Sequence, residues 1–189
     1  MKKAMLLAVA ILLFAGSAFA LPPQGYIGVF KDATHNTLPG QNTVCPPQYG
    51  QFGAWIFCLP SVNGLQAAEF AVSLPATTVT LATVKNPAIT VELGSLAAGI
   101  SVAFGEGQCQ MDWVYIYQLT MMQLGPPTVP AQIKIIVHPG TLPAPAYQFA
   151  TCQLGYPIEA CRNLTPLYIC SDGPLGVQQT NWGAIKSLF

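Results

Sequence analysis

Charged side chains are scarce in this chain. They make up 7% of its 189 residues, seven basic and seven acidic, against about a quarter in an ordinary domain. Without a basic run or stripe, nucleic acid is excluded as a partner. Histidine is scarcer still, with only His35 and His138. A Ser-His-carboxylate site needs a histidine held between the other two groups. His35 lies in a Thr/Asn-rich loop, His138 stands before Pro139, and no G-x-S-x-G elbow occurs. There is no C-x-x-C spacing and no cysteine beside either histidine, so the sequence carries no zinc signature. Glu106 and Asp112 flank Cys109, but the D-x-D-x-D-G calcium loop is missing. No metal and no cofactor are expected. A hydrophobic fraction of 52% also excludes a disordered polar chain.

What is present begins at the N-terminus. Lys2 and Lys3 precede the apolar run Ala4–Gly16, and Ser17-Ala18-Phe19-Ala20 follows with small residues at the −3 and −1 positions. This three-part pattern predicts a signal peptide over residues 1–20, cut after Ala20. The run is shorter than the roughly 20 residues of a membrane span. Leu21 follows the cut, where a lipoprotein needs cysteine. Loss of Lys2 and Lys3 leaves five basic and seven acidic residues, a net charge of −2. No later stretch is long and apolar enough to form a transmembrane segment. The expected location is outside the cytoplasm: extracellular, cell-surface or periplasmic.

Six cysteines, an even number, remain after that cut: Cys45, Cys58, Cys109, Cys152, Cys161 and Cys170. In an exported chain they read as disulfides. Gly155 and Pro157 between Cys152 and Cys161 favour a local Cys152–Cys161 bridge. Cys45–Cys170 and Cys58–Cys109 complete the expected set.

Apolar runs of four to nine residues recur along the chain: Tyr26–Phe30, Phe52–Leu59, Ala67–Leu74, Val79–Val84, Ile89–Leu93, Ile100–Phe104, Trp113–Met121, Ile133–His138, Tyr147–Cys152 and Leu167–Cys170. Ala67–Leu74 alternates, with Phe70, Val72 and Leu74 on one side, as a half-buried strand does. Seventeen prolines, about twice the usual share, fall between the runs. Asn63-Gly64 signals a hairpin turn. Lys31–Gly50 reads as a long loop. The pattern predicts an all-β antiparallel sandwich, immunoglobulin-like or jelly-roll, over residues 21–170. Residues 171–180 read as a linker. In residues 181–189, Trp182, Ile185, Leu188 and Phe189 share one helical face after the cap Asn181, a short amphipathic tail for packing or docking.

The run Trp113–Met121 poses the sharpest question. In a regular strand Trp113, Tyr115 and Tyr117 share one face, and Val114 and Ile116 the other. If the aliphatic side is core, the three aromatics form an exposed row on which sugar rings stack. If the aromatic side is core, the row is only packing. Trp55 and Phe57 pose the same question.

Four segments, GYIGVF, WIFCLPSVNGLQAAEFAVSLP, YQFATCQLGYPIEAC and NWGAIKSLF, resemble a group of uncharacterised secreted bacterial β-sandwich proteins. The last is similar to their terminal tail WG-x-[IV]-K-[SA]-L-[YF]. Members of that group often carry more cysteines, and the resemblance implies them where this chain has Ala67 and Ala103. The strand order and the G-x-x-A-x-E-F-x-[VI]-S stretch also resemble cohesin-type and carbohydrate-binding sandwiches. The resemblance transfers no catalytic residue. The expected function is a secreted, disulfide-stabilised structural or interaction module without catalysis, its partner an extracellular protein or a polysaccharide. The alternative is a carbohydrate-binding module using Trp113, Tyr115 and Tyr117. A hydrolase built on paired carboxylates ranks third.

Overall fold

A computed structural model describes residues 24–170 apart from 37, 39, 126–130, 141–146 and 165. The expected signal segment, linker and tail with Trp182, Ile185, Leu188 and Phe189 lie outside the described residues. Twelve strands follow in chain order: β1 (Tyr26–Phe30), β2 (Thr43–Val44), β3 (Gln51–Leu59), β4 (Ala67–Ser73), β5 (Thr78–Lys85), β6 (Ile89–Ser95), β7 (Gly99–Phe104), β8 (Val114–Gln123), β9 (Ala131–Ile136), β10 (Tyr147–Ala150), β11 (Ile158–Asn163) and β12 (Leu167–Ile169). The fold is the expected all-β sandwich.

One layer runs β1-β3-β8-β5 and the other β6-β7-β4, with β9 and β10 beside β4. β11 joins the layers by pairing with β10 on one side and β1 on the other. Alternating apolar residues from both layers meet between them: Ile27, Ile56 and Leu119 from the first, Phe70, Ile100 and Ile135 from the second, all at most 2% exposed. This period-two burial is what a sandwich with one wet face per sheet requires. On the opposite side the layers are not joined. β5 and β6 face each other across a gap of about 340 Å³ lined by Thr80, Thr83, Glu92, Ser95 and Tyr117 among others.

Three expectations change. Ser61–Gly64 is a turn, with the Gly64 amide donating to the Ser61 carbonyl at 3.0 Å. It does not make a hairpin, because β3 pairs with β1 and β8 while β4 pairs in the other layer. The chain arches between sheets there, a path the dipeptide signal does not distinguish from a hairpin. Residues 158–163 form a strand that the run pattern misses, since IEACRN does not alternate. Thr43–Val44, inside the expected loop, forms a short parallel pair with β12.

The disulfides join Cys45 to Cys170 and Cys109 to Cys152. Cys152 therefore does not bond Cys161. The Gly155–Pro157 turn does reverse the chain, but its register sets Ala150 opposite Ile158 and Tyr147 opposite Cys161. That leaves Cys152 about five residue lengths, some 15 Å, from the level of Cys161. Nor does Cys58 bond Cys109, for Cys58 points into the core from β3. Cys58 and Cys161 are buried thiols. β1 runs between them, so their backbones are two strand spacings apart, about 9–10 Å, beyond disulfide reach. Burial, with the nearby Cys161, pushes the Cys58 thiol well up. Burial raises the Cys161 thiol to about 12. A thiolate is the reactive species. Thiol titration at pH 8 is therefore expected to find no reactive group in the native protein and two in denaturant. Two groups reacting natively, or none after unfolding, refutes this arrangement.

Candidate functional site

Two outer faces concentrate the candidate binding features. The first belongs to the β1-β3-β8-β5 layer. Trp55 and Phe57 on β3 project outward and meet Tyr115 of β8, with ring centroids at 5.5 and 6.3 Å. Trp113, just before β8, packs edge-on against Phe30 at 5.8 Å and Phe57 at 6.3 Å. His35, at φ 42°, lies flat on Trp113 with centroids 4.4 Å apart and planes at 13°. The 31–42 loop thus brings a ring onto the very surface a sugar would stack on. It is fixed by Asn42, which is buried and donates to the Val29 carbonyl at 2.7 Å and the Pro166 carbonyl at 3.1 Å.

Trp113 and Tyr115 are half-buried in this cluster, whereas Tyr117 is not in it. The pairing of β3 with β8 slips at Ile56/Phe57: Ile56 faces Tyr117 and Phe57 faces Tyr115. The extra residue is Ile116, a β-bulge that switches the inward set. Ile116 and Tyr117 are consecutive and both buried, at 0% and 1% exposure. The expected three-ring row is therefore broken after two. Tyr117 turns into the gap between β5 and β6, where its hydroxyl donates to Glu92 Oε1 at 2.9 Å. Lys85 Nζ sits 3.1 Å from Glu92 Oε2. Burial and the Glu92 hydrogen bond push the Tyr117 phenol well up. The hydrogen bonds from Tyr117 and Lys85 hold the Glu92 carboxyl below its ordinary value. This triad ties the two layers along their unjoined side.

The second face is the outside of β6-β7-β4-β10-β11. Register assembles two rows across five strands. Val91, Ala103, Ala67, Ala150 and Ile158 make one; Leu93, Ser101, Glu69, Gln148 and Ala160 make the other. Each row spans about 19 Å. The first row is apolar throughout, its alanine floor lying between the rims Val91 and Ile158, which are 47% and 66% exposed. A depression of about 90 Å³ opens over Ala67, Glu69, Gln148, Ala150 and Ile158. Glu69 is the single charge in the two rows and accepts from the Ser101 hydroxyl at 3.0 Å. Ala67 and Ala103, where the resemblance implies cysteines, are direct cross-strand partners here. The sequence hides this face, because its residues come from five strands and half of them are alanine or serine.

Catalytic candidates are dispersed. The His138 Nδ1 accepts from the Gly140 amide at 2.9 Å. Asp112 accepts from the Trp113 amide at 2.7 Å. Among the described residues no three His, Cys, Asp or Glu side chains gather as a metal site would need, and no helix is long and apolar enough to cross a membrane.

No protein-family model matches the chain, and neither does any curated protein. Solved structures do match at the level of fold. A cohesin module from a Clostridium perfringens family 33 glycoside hydrolase aligns over 78% of this chain and 98% of its own, at TM-score 0.53 and 6% identity. A type III cohesin module from the cell-surface anchoring scaffoldin ScaE of Ruminococcus flavefaciens covers 83% and 92%, at 0.52 and 6%. The third cohesin of ScaC from Acetivibrio cellulolyticus, solved with the ScaB dockerin, covers 79% and 99%, at 0.50 and 8%. The chain is similar in fold to cohesin modules.

Proposed function

We propose that this chain is an exported, non-catalytic docking module that receives a protein partner on the outer face of β6-β7-β4-β10-β11. The carrying observation is the pair of five-strand rows. An alanine floor with exposed Val91, Leu93 and Ile158 at its margins offers a broad apolar surface without long side chains to displace. Exposed contiguous apolar area of this kind marks interaction sites. Glu69, bonded to Ser101, is the one charge in the two rows, so the complementary partner brings an apolar ridge. That several solved sandwiches of this fold are cohesins, one of them in complex with a dockerin, supports a protein partner. The leader pattern of residues 1–20 and the two disulfides support an exported module.

The test compares three forms of the protein purified from an exporting host: unaltered, Ala103→Arg and Trp113→Ala. Each is used as bait for envelope and secreted proteins of the source cell and for a panel of polysaccharides. A captured protein is then purified and its direct binding measured. The expected result is direct binding that falls at least about tenfold with Ala103→Arg, as loss of a central contact predicts, and is unchanged with Trp113→Ala. Equal binding by Ala103→Arg overturns the assignment of the face. Retention only on a glycan, lost with Trp113→Ala, overturns the protein partner and makes the aromatic cluster the site.

A further inference from the structure

We infer that the exposed edge of β5 is a self-association surface, pairing antiparallel with β5 of a second copy across a two-fold axis. Among the described residues β5 pairs with no strand but β8, so its other side presents a row of backbone donors and acceptors without a strand partner. Proteins usually guard such an edge with prolines, charges or very short strands. β5 has eight residues, TVTLATVK, without proline. Its one charge, Lys85, is held by Glu92. Leu81 and Val84 are 46% and 55% exposed. The strand is also seated at its start, where the buried Thr78 hydroxyl donates to Gln123 Oε1 at 2.9 Å.

The occupant is specified by the sequence of the strand. An isologous interface must be complementary to itself. Residues 79–84 read V-T-L-A-T-V, nearly the same in both directions. Pairing about the midpoint between Leu81 and Ala82 sets Val79 opposite Val84 of the second copy, Thr80 opposite Thr83, and Leu81 opposite Ala82. The faces agree as well. Against β8, Val79 and Val84 pair with the outward Met122 and Gln118, while Thr80 and Thr83 pair with the buried Met121 and Leu119. Valine thus meets valine on the outer side and threonine meets threonine on the inner, both favourable cross-strand pairs. The irregularity between Thr80 and Ala82 sits at the midpoint, where symmetry repeats it without shifting the register. β6, another free edge, lacks this property. Its strand ITVELGS centres on Glu92, and two-fold pairing there would oppose two carboxylates.

The edge is short, so the association belongs to the weak class. It is read by sedimentation of the exported protein at concentrations up to about 1 mM. Dimer is expected to appear toward the upper end of that range. Val79→Lys and Val84→Glu each weaken it, by about tenfold, because every cross-strand pair occurs twice in the dimer. The double variant sets the introduced ammonium of one copy opposite the introduced carboxylate of the other and restores association. A thermal melt of each variant verifies folding, and a single that fails to fold is replaced by Thr83→Lys with the same expected loss. A protein monomeric throughout overturns the inference. So does a dimer indifferent to the single substitutions, or a double variant weaker than both singles. Ala103→Arg, on the other face, leaves self-association unchanged, so this result and that of the docking face are read separately.

Discussion

Replacing Cys45 and Cys170 together by serine is expected to lower stability by about 4–5 kcal/mol and the melting temperature by about 10 °C or more. The bridge spans a sequence separation of 125, and a loop that long gains much conformational freedom in the unfolded chain when it is opened. The native side of the balance adds to this. β2 is two residues long, held by parallel pairing with β12 and by the Cys170 amide donating to the Val44 carbonyl at 3.0 Å. Without the bridge that short ladder has little to keep it. The same change at Cys109 and Cys152, separated by 43, is expected to cost about 1 kcal/mol less on the loop-entropy scale. Chemical denaturation of the two double variants measures both. A reversed order would show that native packing around Cys109–Cys152 outweighs chain entropy.

Gly64→Ala is expected to cost about 2–4 kcal/mol. Gly64 has φ +75°, in the left-handed region that a side chain resists. A Cβ there would also run into the Cys109 sulfur and come within 2.8 Å of both Cys152 Sγ and Met111 Sδ. Met111 is exposed and flexible, but the disulfide is anchored in two segments, and the Cys152 amide donates to the Asn63 carbonyl at 3.0 Å. Gly107 supplies the control. It has nearly the same φ, +74°, with nothing within 4 Å of its would-be Cβ. Gly107→Ala measures backbone strain alone, about 1 kcal/mol. The denaturation midpoints of the two variants isolate the steric contribution of the bridge. Equal losses would mean that the sulfur atoms move aside freely.

The elements are legible in the sequence because sandwich strands alternate and their prolines fall outside them. Phe70 and Val72 declare the buried side of β4 in one line of text. Register is not legible, and the site depends on it. Ile116 looks like any other aliphatic residue of an alternating strand, yet as a bulge it removes Tyr117 from the aromatic face and delivers it to Glu92. Ala67, Ala103 and Ala150 attract no notice singly and form a floor only because their strands align. Cys152 and Cys161 look like a local pair because the turn between them is visible, whereas the offset of the hairpin beyond it is not. Periodicity reports which way a side chain points within its own strand. It does not report what stands opposite on the next.

The parallel pairs β1 with β11 and β2 with β12 set the order in which the molecule can assemble. A chain emerging from its N-terminus offers β1 and β2 first; β1 can pair early with β3, but β11 and β12 arrive only with residues 158–169. The seam between the layers, β1 with β11, cannot form until nearly the whole domain is out. High sequence separation between partners slows folding, and here it does so at the β1–β11 pair that joins the layers and at the β2–β12 pair on the sheet edge. The layers of the nascent chain consequently stay without this seam until its last strands appear, and the bridge between Cys45 and Cys170 fastens only at the end.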